Sequence, residues 1–170
     1  MQEEFLAWWT KMKFWIWYCH QDELVKNAIP RRDEYLLHAA LSSTDTPTLI
    51  VRLLLRLYPH SVLLTVPGTD ILPLHIAAWT TGYTRRSFES RSTATAVSLV
   101  ADLYPEAIYI RSGDRLPLHI AIDAHKTWDE LQPLVDSKGL FLKCRDPTSG
   151  LFPFQQIAAS RVYSTDQRLR

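Results

Sequence analysis

Cysteine and glycine are both scarce in this sequence, and each shortage excludes a class of protein. The two cysteines, Cys19 and Cys144, lie far apart without metal-ligand spacing, so they predict neither a disulfide framework nor a zinc site. The five glycines do not occur at the spacing of a phosphate-binding loop or a dinucleotide-binding fingerprint. We therefore expect no cofactor and no metal.

An excess of one charge and long hydrophobic runs are missing as well. The 19 Lys and Arg residues nearly balance the 18 Asp and Glu residues, so no basic surface for nucleic acid is predicted. No apolar run approaches the roughly 18 residues of a membrane-spanning helix. The acidic residues at 3 and 4 do not suit a secretory signal. Together with the reduced cysteines, these features predict a cytoplasmic or nuclear protein.

A word of six residues occurs twice in the sequence. Leu-Pro-Leu-His-Ile-Ala stands at 72–77 and again at 116–121, and a Leu-Tyr-Pro precedes each copy. Related segments surround His38 and Gln155, so the aligned positions 38, 75, 119 and 155 are 36 to 44 residues apart. A word repeated at this period is typical of a chain built from stacked supersecondary units.

Each unit is predicted to contain two helices. Pro73 and Pro117 suit the first turn of a helix, where the missing N–H costs nothing, and Pro153 has the same place in the last unit. The apolar residues that follow them have helical spacing. Residues 49–57 form the clearest second helix, and the segment 127–130 has the spacing of a capping box.

Residues 1–32 differ from the units that follow them. Aromatic and apolar residues between 5 and 19 fall on one helical stripe, which predicts a helix that caps the array. A helix lying on a membrane surface and an additional docking surface for a partner are the alternatives. Residues 33–170 are predicted to be the repeat array, with units that start near 33, 70, 114 and 150 and a polar insertion at 80–93.

These segments resemble the ankyrin-repeat family. The family's opening, Thr-Pro-Leu-His-x-Ala-Ala, is similar to residues 72–78 and 116–121, and residues 145–154 are similar to the last unit of a divergent ankyrin-like group. The resemblance covers residues 33–160 or so. It implies an all-α fold, a short α-solenoid of stacked helix-turn-helix units with an aromatic N-terminal capping helix.

The sequence departs from the family's pattern in three ways. Leucine replaces the helix-capping threonine in both copies of the word, which leaves Asp70 and Asp114 as candidate caps. Gln155 replaces the histidine in the last unit, and no second helix is evident after it. Either residues 161–170 form a short cap, or the chain is part of a longer array.

The recurring histidines His38, His75 and His119 are the most tempting candidates for catalysis or metal binding. Equivalent positions on stacked helices are about 8–10 Å apart, whereas each ligand of one zinc ion is about 2 Å from the metal. We therefore predict that these histidines, like Pro73, Pro117 and Pro153, are structural. The protein is predicted not to be an enzyme.

The resemblance also implies a non-catalytic module that binds another protein through its concave face and the fingers between units. Alignment with the family assigns the partner-facing positions to Glu34, Ser42, Ile71, Trp79, Thr80, Arg115 and Asp123. Trp79 is supported by its residue type as well, because an aromatic flanked by charges is typical of an interface hot spot. Packing of Trp79 beneath the insertion is the alternative. Charge reversal at Arg115 and Asp123 is expected to weaken binding without unfolding the array.

Two other functions remain open at this point. One is a membrane-peripheral adaptor that uses the N-terminal aromatic helix, and the other is a regulatory fragment of a larger multidomain protein. The favoured hypothesis is a monomeric array with a protein partner, whose identity the sequence does not give.

Overall fold

The computed structural model describes residues 35–44, 46–80, 94–135 and 139–166, with side chains described as far as residue 159. The predicted N-terminal cap at 1–32 and nearly all of the insertion at 80–93 lie outside the described residues. Within the described ranges, the only β-structure is an isolated bridge between Ser112 and Arg115. The predicted all-α class is confirmed.

The described part of the chain contains seven α-helices, of which all but one have between 4 and 10 residues. They are α1 (Leu36–Ser42), α2 (Thr48–Leu57), α3 (Pro73–Trp79), α4 (Ala96–Leu103), α5 (Pro117–Asp123), α6 (Trp128–Leu131) and α7 (Pro153–Asp166). Short 3₁₀ helices lie in the connections at Pro59–Leu63, Pro105–Tyr109, Gln132–Leu134 and Phe141–Lys143.

The helices form two rows. In the first row, α3 contacts α1 on one side and α5 on the other, and α5 contacts α7. In the second row, α4 contacts both α2 and α6. Fully buried alanines in the first row, Ala77, Ala78 and Ala121, allow these helices to approach one another closely. One continuous hydrophobic core therefore runs along the described units.

The helix starts agree with the sequence in one respect and differ in another. Pro73, Pro117 and Pro153 each occupy the first position of a helix, as predicted. However, no side chain at the N-cap of α3 or α5 accepts a capping hydrogen bond. The N-cap residues are Leu72 and Leu116, which cannot accept such a bond, so a cap from Asp70 or Asp114 stays a prediction.

One core position behaves differently in the last unit. The residue before the aligned histidine is at most 3% exposed in the first three units, where it is Leu37, Leu74 or Leu118. Its equivalent in α7, Phe154, is 62% exposed. In the first three units the second helix packs against the first, whereas no second helix follows α7 among the described residues. Phe154 stacks instead on Phe152, with ring centroids 5.8 Å apart.

Candidate functional site

The three recurring histidines each connect one unit to the next. In every case Nε2 lies within 3.2 Å of a backbone carbonyl that directly follows a 3₁₀ helix. The bonds join His38 to Leu64 at 2.8 Å, His75 to Ile110 at 3.1 Å and His119 to Cys144 at 3.2 Å. Because a carbonyl oxygen can only accept, Nε2 is the donor in all three bonds.

Burial lowers the pKa of all three histidines, although the hydrogen bond to the carbonyl acts in the opposite direction. The imidazoles are therefore neutral at pH 7, with the proton on Nε2. Within the described ranges, no group of three or more His, Cys, Asp or Glu side chains is placed to hold a metal ion. The bonds that the structure gives these histidines join neighbouring units.

Gln155 reproduces half of the histidine's role in the last unit. In α3, the backbone N–H of Leu72 donates to Nδ1 of His75 at 3.0 Å. In α7, the backbone N–H of Phe152 donates to Oε1 of Gln155, also at 3.0 Å. The glutamine therefore satisfies the same backbone donor at the start of the helix, which the sequence comparison of the units did not reveal.

A buried carboxylate, Asp146, lies between the third and fourth units. It is 0% exposed and accepts Nε and Nη2 of Arg115 at 2.7 and 3.1 Å. Ser149 donates its backbone N–H and its hydroxyl at 3.2 and 3.0 Å, and Nε2 of Gln156 donates at 3.0 Å. The carboxylate of Asp146 therefore links Arg115, which lies two residues before α5, to Gln156 within α7.

Both members of this ion pair are held in their charged forms. Burial alone would raise the pKa of Asp146, but the hydrogen bonds from Arg115 and Ser149 and the positive charge of Arg115 lower it below its usual value. Desolvation alone would lower the pKa of Arg115, but the hydrogen bonds to Asp146 and Asp123 raise it.

Asp123 is the exposed member of the same cluster. Its carboxylate accepts Nη2 of Arg115 through one oxygen and Nε2 of Gln156, at 3.3 Å, through the other. The side chain is 49% exposed, whereas that of Arg115 is 21% exposed. Asp123 therefore presents its charge to solvent, while Arg115 uses most of its donors within the fold.

These contacts correct one expectation from the sequence. Charge reversal at Arg115 was expected to leave the fold intact. The substitution Arg115→Glu would instead place a second carboxylate beside the fully buried Asp146. Arg115 is a structural residue, and Asp123 and Trp79 are better positions for testing binding.

Five of the seven partner-facing residues predicted from the sequence line one cleft of about 480 Å³. Its described lining residues are Ser42, Thr44, Trp79, Thr80, Arg115, Ile120, Asp123 and Ala124. Ser42, Trp79 and Asp123 are the last residues of α1, α3 and α5. Trp79 is 71% exposed, so a large part of the residue can contact another molecule. The alternative that it packs beneath the insertion concerns residues 81–93, which lie outside the described ones.

The other predicted residues have different positions. Glu34 lies outside the described residues, and Ile71 is partly buried and does not line the cleft. Thr80 lines the cleft but is a buried residue, and its carbonyl accepts Nζ of Lys126 at 2.6 Å. Thr80 therefore contributes backbone structure to the cleft more than an exposed side chain.

The buried ion pair between Lys126 and Glu130 was missed by the sequence analysis. Nζ of Lys126 lies 2.7 Å from Oε1 of Glu130, and both side chains are at most 3% exposed. The other carboxylate oxygen accepts the backbone N–H and the hydroxyl of Thr127. Within the predicted capping box at 127–130, the side chain of Glu130 thus accepts the backbone N–H of Thr127. The spacing of four residues was the only available signal for the pair.

Within the ranges that the structure describes, no helix is long and apolar enough to cross a membrane. Comparisons with protein-family models, with curated proteins and with solved structures gave no match.

Proposed function

We propose that the chain is a short α-solenoid of ankyrin-like repeats and serves as a non-catalytic protein–protein interaction module. Two rows of successively contacting helices support this architecture. The recurrence of the same histidine-to-carbonyl bond at His38, His75 and His119 supports it further. Units that stack in the same way repeat the same contact with their neighbours, and such arrays offer extended surfaces for binding.

The observation that carries the proposed function is the exposed indole of Trp79 at the cleft. A large aromatic side chain that is 71% exposed beside a concave surface has the composition of a binding hot spot. Ser42, Thr44 and Asp123 supply exposed polar groups around it, and such groups fix the orientation of a partner.

The partner-binding surface is proposed to be this cleft, with Trp79 and Asp123 as the residues in direct contact. Trp79 ends α3, and Asp123 ends α5, so the surface crosses the boundary between two units. A partner that contacts both residues would be recognised only by the stacked array. Arg115 contributes indirectly, because its guanidinium holds the carboxylate of Asp123 in place.

Affinity capture from a cytosolic extract tests this function. The chain is compared with Trp79→Ala and with Trp128→Ala, because Trp128 is 65% exposed at the start of α6 but does not line the cleft. A hot-spot truncation costs about 2 kcal/mol or more, which is a roughly thirtyfold loss of affinity. A protein retained by the parent and by Trp128→Ala, but lost by Trp79→Ala, is the expected result.

Circular dichroism of all three proteins is the control for folding, and both substitutions are expected to leave the spectrum unchanged because both side chains are largely exposed. If every captured protein binds the Trp79→Ala variant as well as the parent, the cleft is not the binding surface.

A further inference from the structure

The charged cluster at the cleft, formed by Arg115, Asp123 and the buried Asp146, holds two carboxylates and one guanidinium. Among its described lining residues Arg115 is the only cation, and its guanidinium contacts two carboxylates, those of Asp146 and Asp123. Asp146 is fully buried and accepts two of the guanidinium's donors, so the charges of this pair offset each other. The half-exposed carboxylate of Asp123 remains as an excess negative charge facing solvent.

The fold itself places a cation at the edge of this cleft. Nζ of Lys126 donates to the carbonyl of Thr80, the residue that directly follows α3, at 2.6 Å. The ends of α1 and α5 also meet the cleft, at Ser42 and Asp123. The last carbonyls of a helix lack partners within the helix and favour positive charge. At these helix ends, however, Lys126 already occupies the carbonyl of Thr80, and the last carbonyls of α5 accept backbone N–H groups from residues 124–126. The carboxylate of Asp123 is therefore the group that attracts a cationic ligand.

The indole of Trp79 adds a second kind of attraction for a cation. The face of tryptophan is the best of the aromatic side chains at attracting an ammonium or guanidinium group. The methylene stem of lysine or arginine can pack against the same ring while its charged end stays hydrated or paired. A lysine or arginine side chain could use the indole for its stem and the carboxylate of Asp123 for its charged end.

We propose that the cleft binds a lysine or arginine side chain from an extended segment of a partner protein. This inference rests on the proposed function and adds the chemistry of the partner to it. The charged end pairs with Asp123, and the stem packs on Trp79. The cleft volume of about 480 Å³ falls within the range of ligand-binding pockets, which leaves room for residues on either side of the basic one.

A library of random heptapeptides displayed on phage, selected on the folded full chain, tests the proposal. Selected peptides are then synthesised, and their affinities are measured by fluorescence polarisation for the parent, Trp79→Ala, Asp123→Asn and the control Trp128→Ala. Asp123→Asn removes the charge but retains an oxygen that can accept from Arg115. Circular dichroism confirms the fold of each variant.

The expected result is a lysine or arginine at one fixed position of the selected peptides. Trp79→Ala and Asp123→Asn should each weaken binding by at least about threefold, and Trp128→Ala should leave it unchanged. Exchange of the basic residue for glutamine in the peptide should produce a loss of similar size. Binding should also weaken as salt is added, because an exposed charge pair is screened.

Other outcomes separate this inference from the proposed function. Peptides that require Trp79 but contain no basic residue, or that bind Asp123→Asn as well as the parent, would overturn the inference and leave the proposed binding surface in place. If no selected peptide distinguishes Trp79→Ala from the parent, both the inference and the proposed surface are wrong.

Discussion

Replacement of Asp146 with alanine is expected to destabilise the fold severely, although the residue lies in a connection. Its carboxylate is fully buried and accepts five hydrogen bonds, from Arg115, Ser149 and Gln156. Asp146→Ala removes the acceptor of all five hydrogen bonds at once. It also leaves the guanidinium of Arg115, which is mostly buried, with Asp123 as its remaining carboxylate.

The size of the effect follows from these contacts. Removal of one partner from a buried ion pair costs about 3–5 kcal/mol. The lower end applies here, because Arg115 is 21% exposed and keeps its contact with Asp123. We therefore expect a loss of about 3 kcal/mol in the free energy of unfolding, a large part of the roughly 5–15 kcal/mol typical of a domain.

Urea denaturation at pH 7, followed by circular dichroism, measures this loss. Asp102→Ala is the matched control, because Asp102 is an exposed residue of α4. Its effect should stay within about 0.5 kcal/mol. A loss below about 1 kcal/mol for Asp146→Ala would refute the reasoning, since removal of one partner from a buried ion pair with these contacts should cost about 3 kcal/mol.

Three further predictions use matched positions in the chain. Burial lowers the pKa of the three recurring histidines, so their stabilising contribution is complete above their ordinary pKa of 6.5. As the pH falls below that value, the contribution is lost and the urea midpoint should decrease. His75→Gln should make the urea midpoint depend less on pH. Glu130→Ala should lower the free energy of unfolding by about 3 kcal/mol, because it removes the carboxylate that lies 2.7 Å from the buried ammonium of Lys126. Asp129 is an exposed neighbour, and Asp129→Ala should change the same quantity by less than about 0.5 kcal/mol. Leu74→Ala should cost about 2–5 kcal/mol as a core truncation, and Phe154→Ala, at the equivalent but 62% exposed position, should cost far less in the same urea denaturation.

Each of these comparisons has a result that contradicts it. A chain as stable at pH 5 as at pH 7.5, or a His75→Gln variant with unchanged pH dependence, would show that the histidines do not titrate as their burial requires. Equal losses for Glu130→Ala and Asp129→Ala would rule out the buried ion pair. Equal losses at Leu74 and Phe154 would mean that the last unit is covered in the same way as the others.

Features that depend on local pattern could be predicted from the sequence. Pro73 and Pro117 of the repeated word, with the aligned Pro153, predicted the starts of α3, α5 and α7, and the apolar spacing indicated the buried face of α3 and of α5. The predicted cleft residues Ser42, Trp79 and Asp123 lie together for a related reason. They end the first helices of consecutive units, and those helices contact one another in order.

Features that depend on a particular long-range partner could not be predicted. Arg115 and Asp146 are 31 residues apart, and nothing near either residue identifies the other. The repeat alignment even suggested that Arg115 faces a partner, because alignment gives the position of a side chain but not the group it pairs with. The contact at the start of α3 was equally hidden, since the backbone N–H of Leu72 donates to the imidazole of His75, which is not a residue type that usually accepts this bond.

Photo-crosslinking at position 79 tests the central claim most directly. The photoreactive amino acid p-benzoylphenylalanine replaces Trp79 in one protein and Trp128 in another, two exposed tryptophans of which only Trp79 lines the cleft. Both proteins are irradiated in the same cytosolic extract. We predict a discrete crosslinked product from position 79 that is absent from position 128 and is reduced by Asp123→Asn. Crosslinking of the same proteins from both positions, or from neither, would contradict the assignment of the cleft as the binding surface.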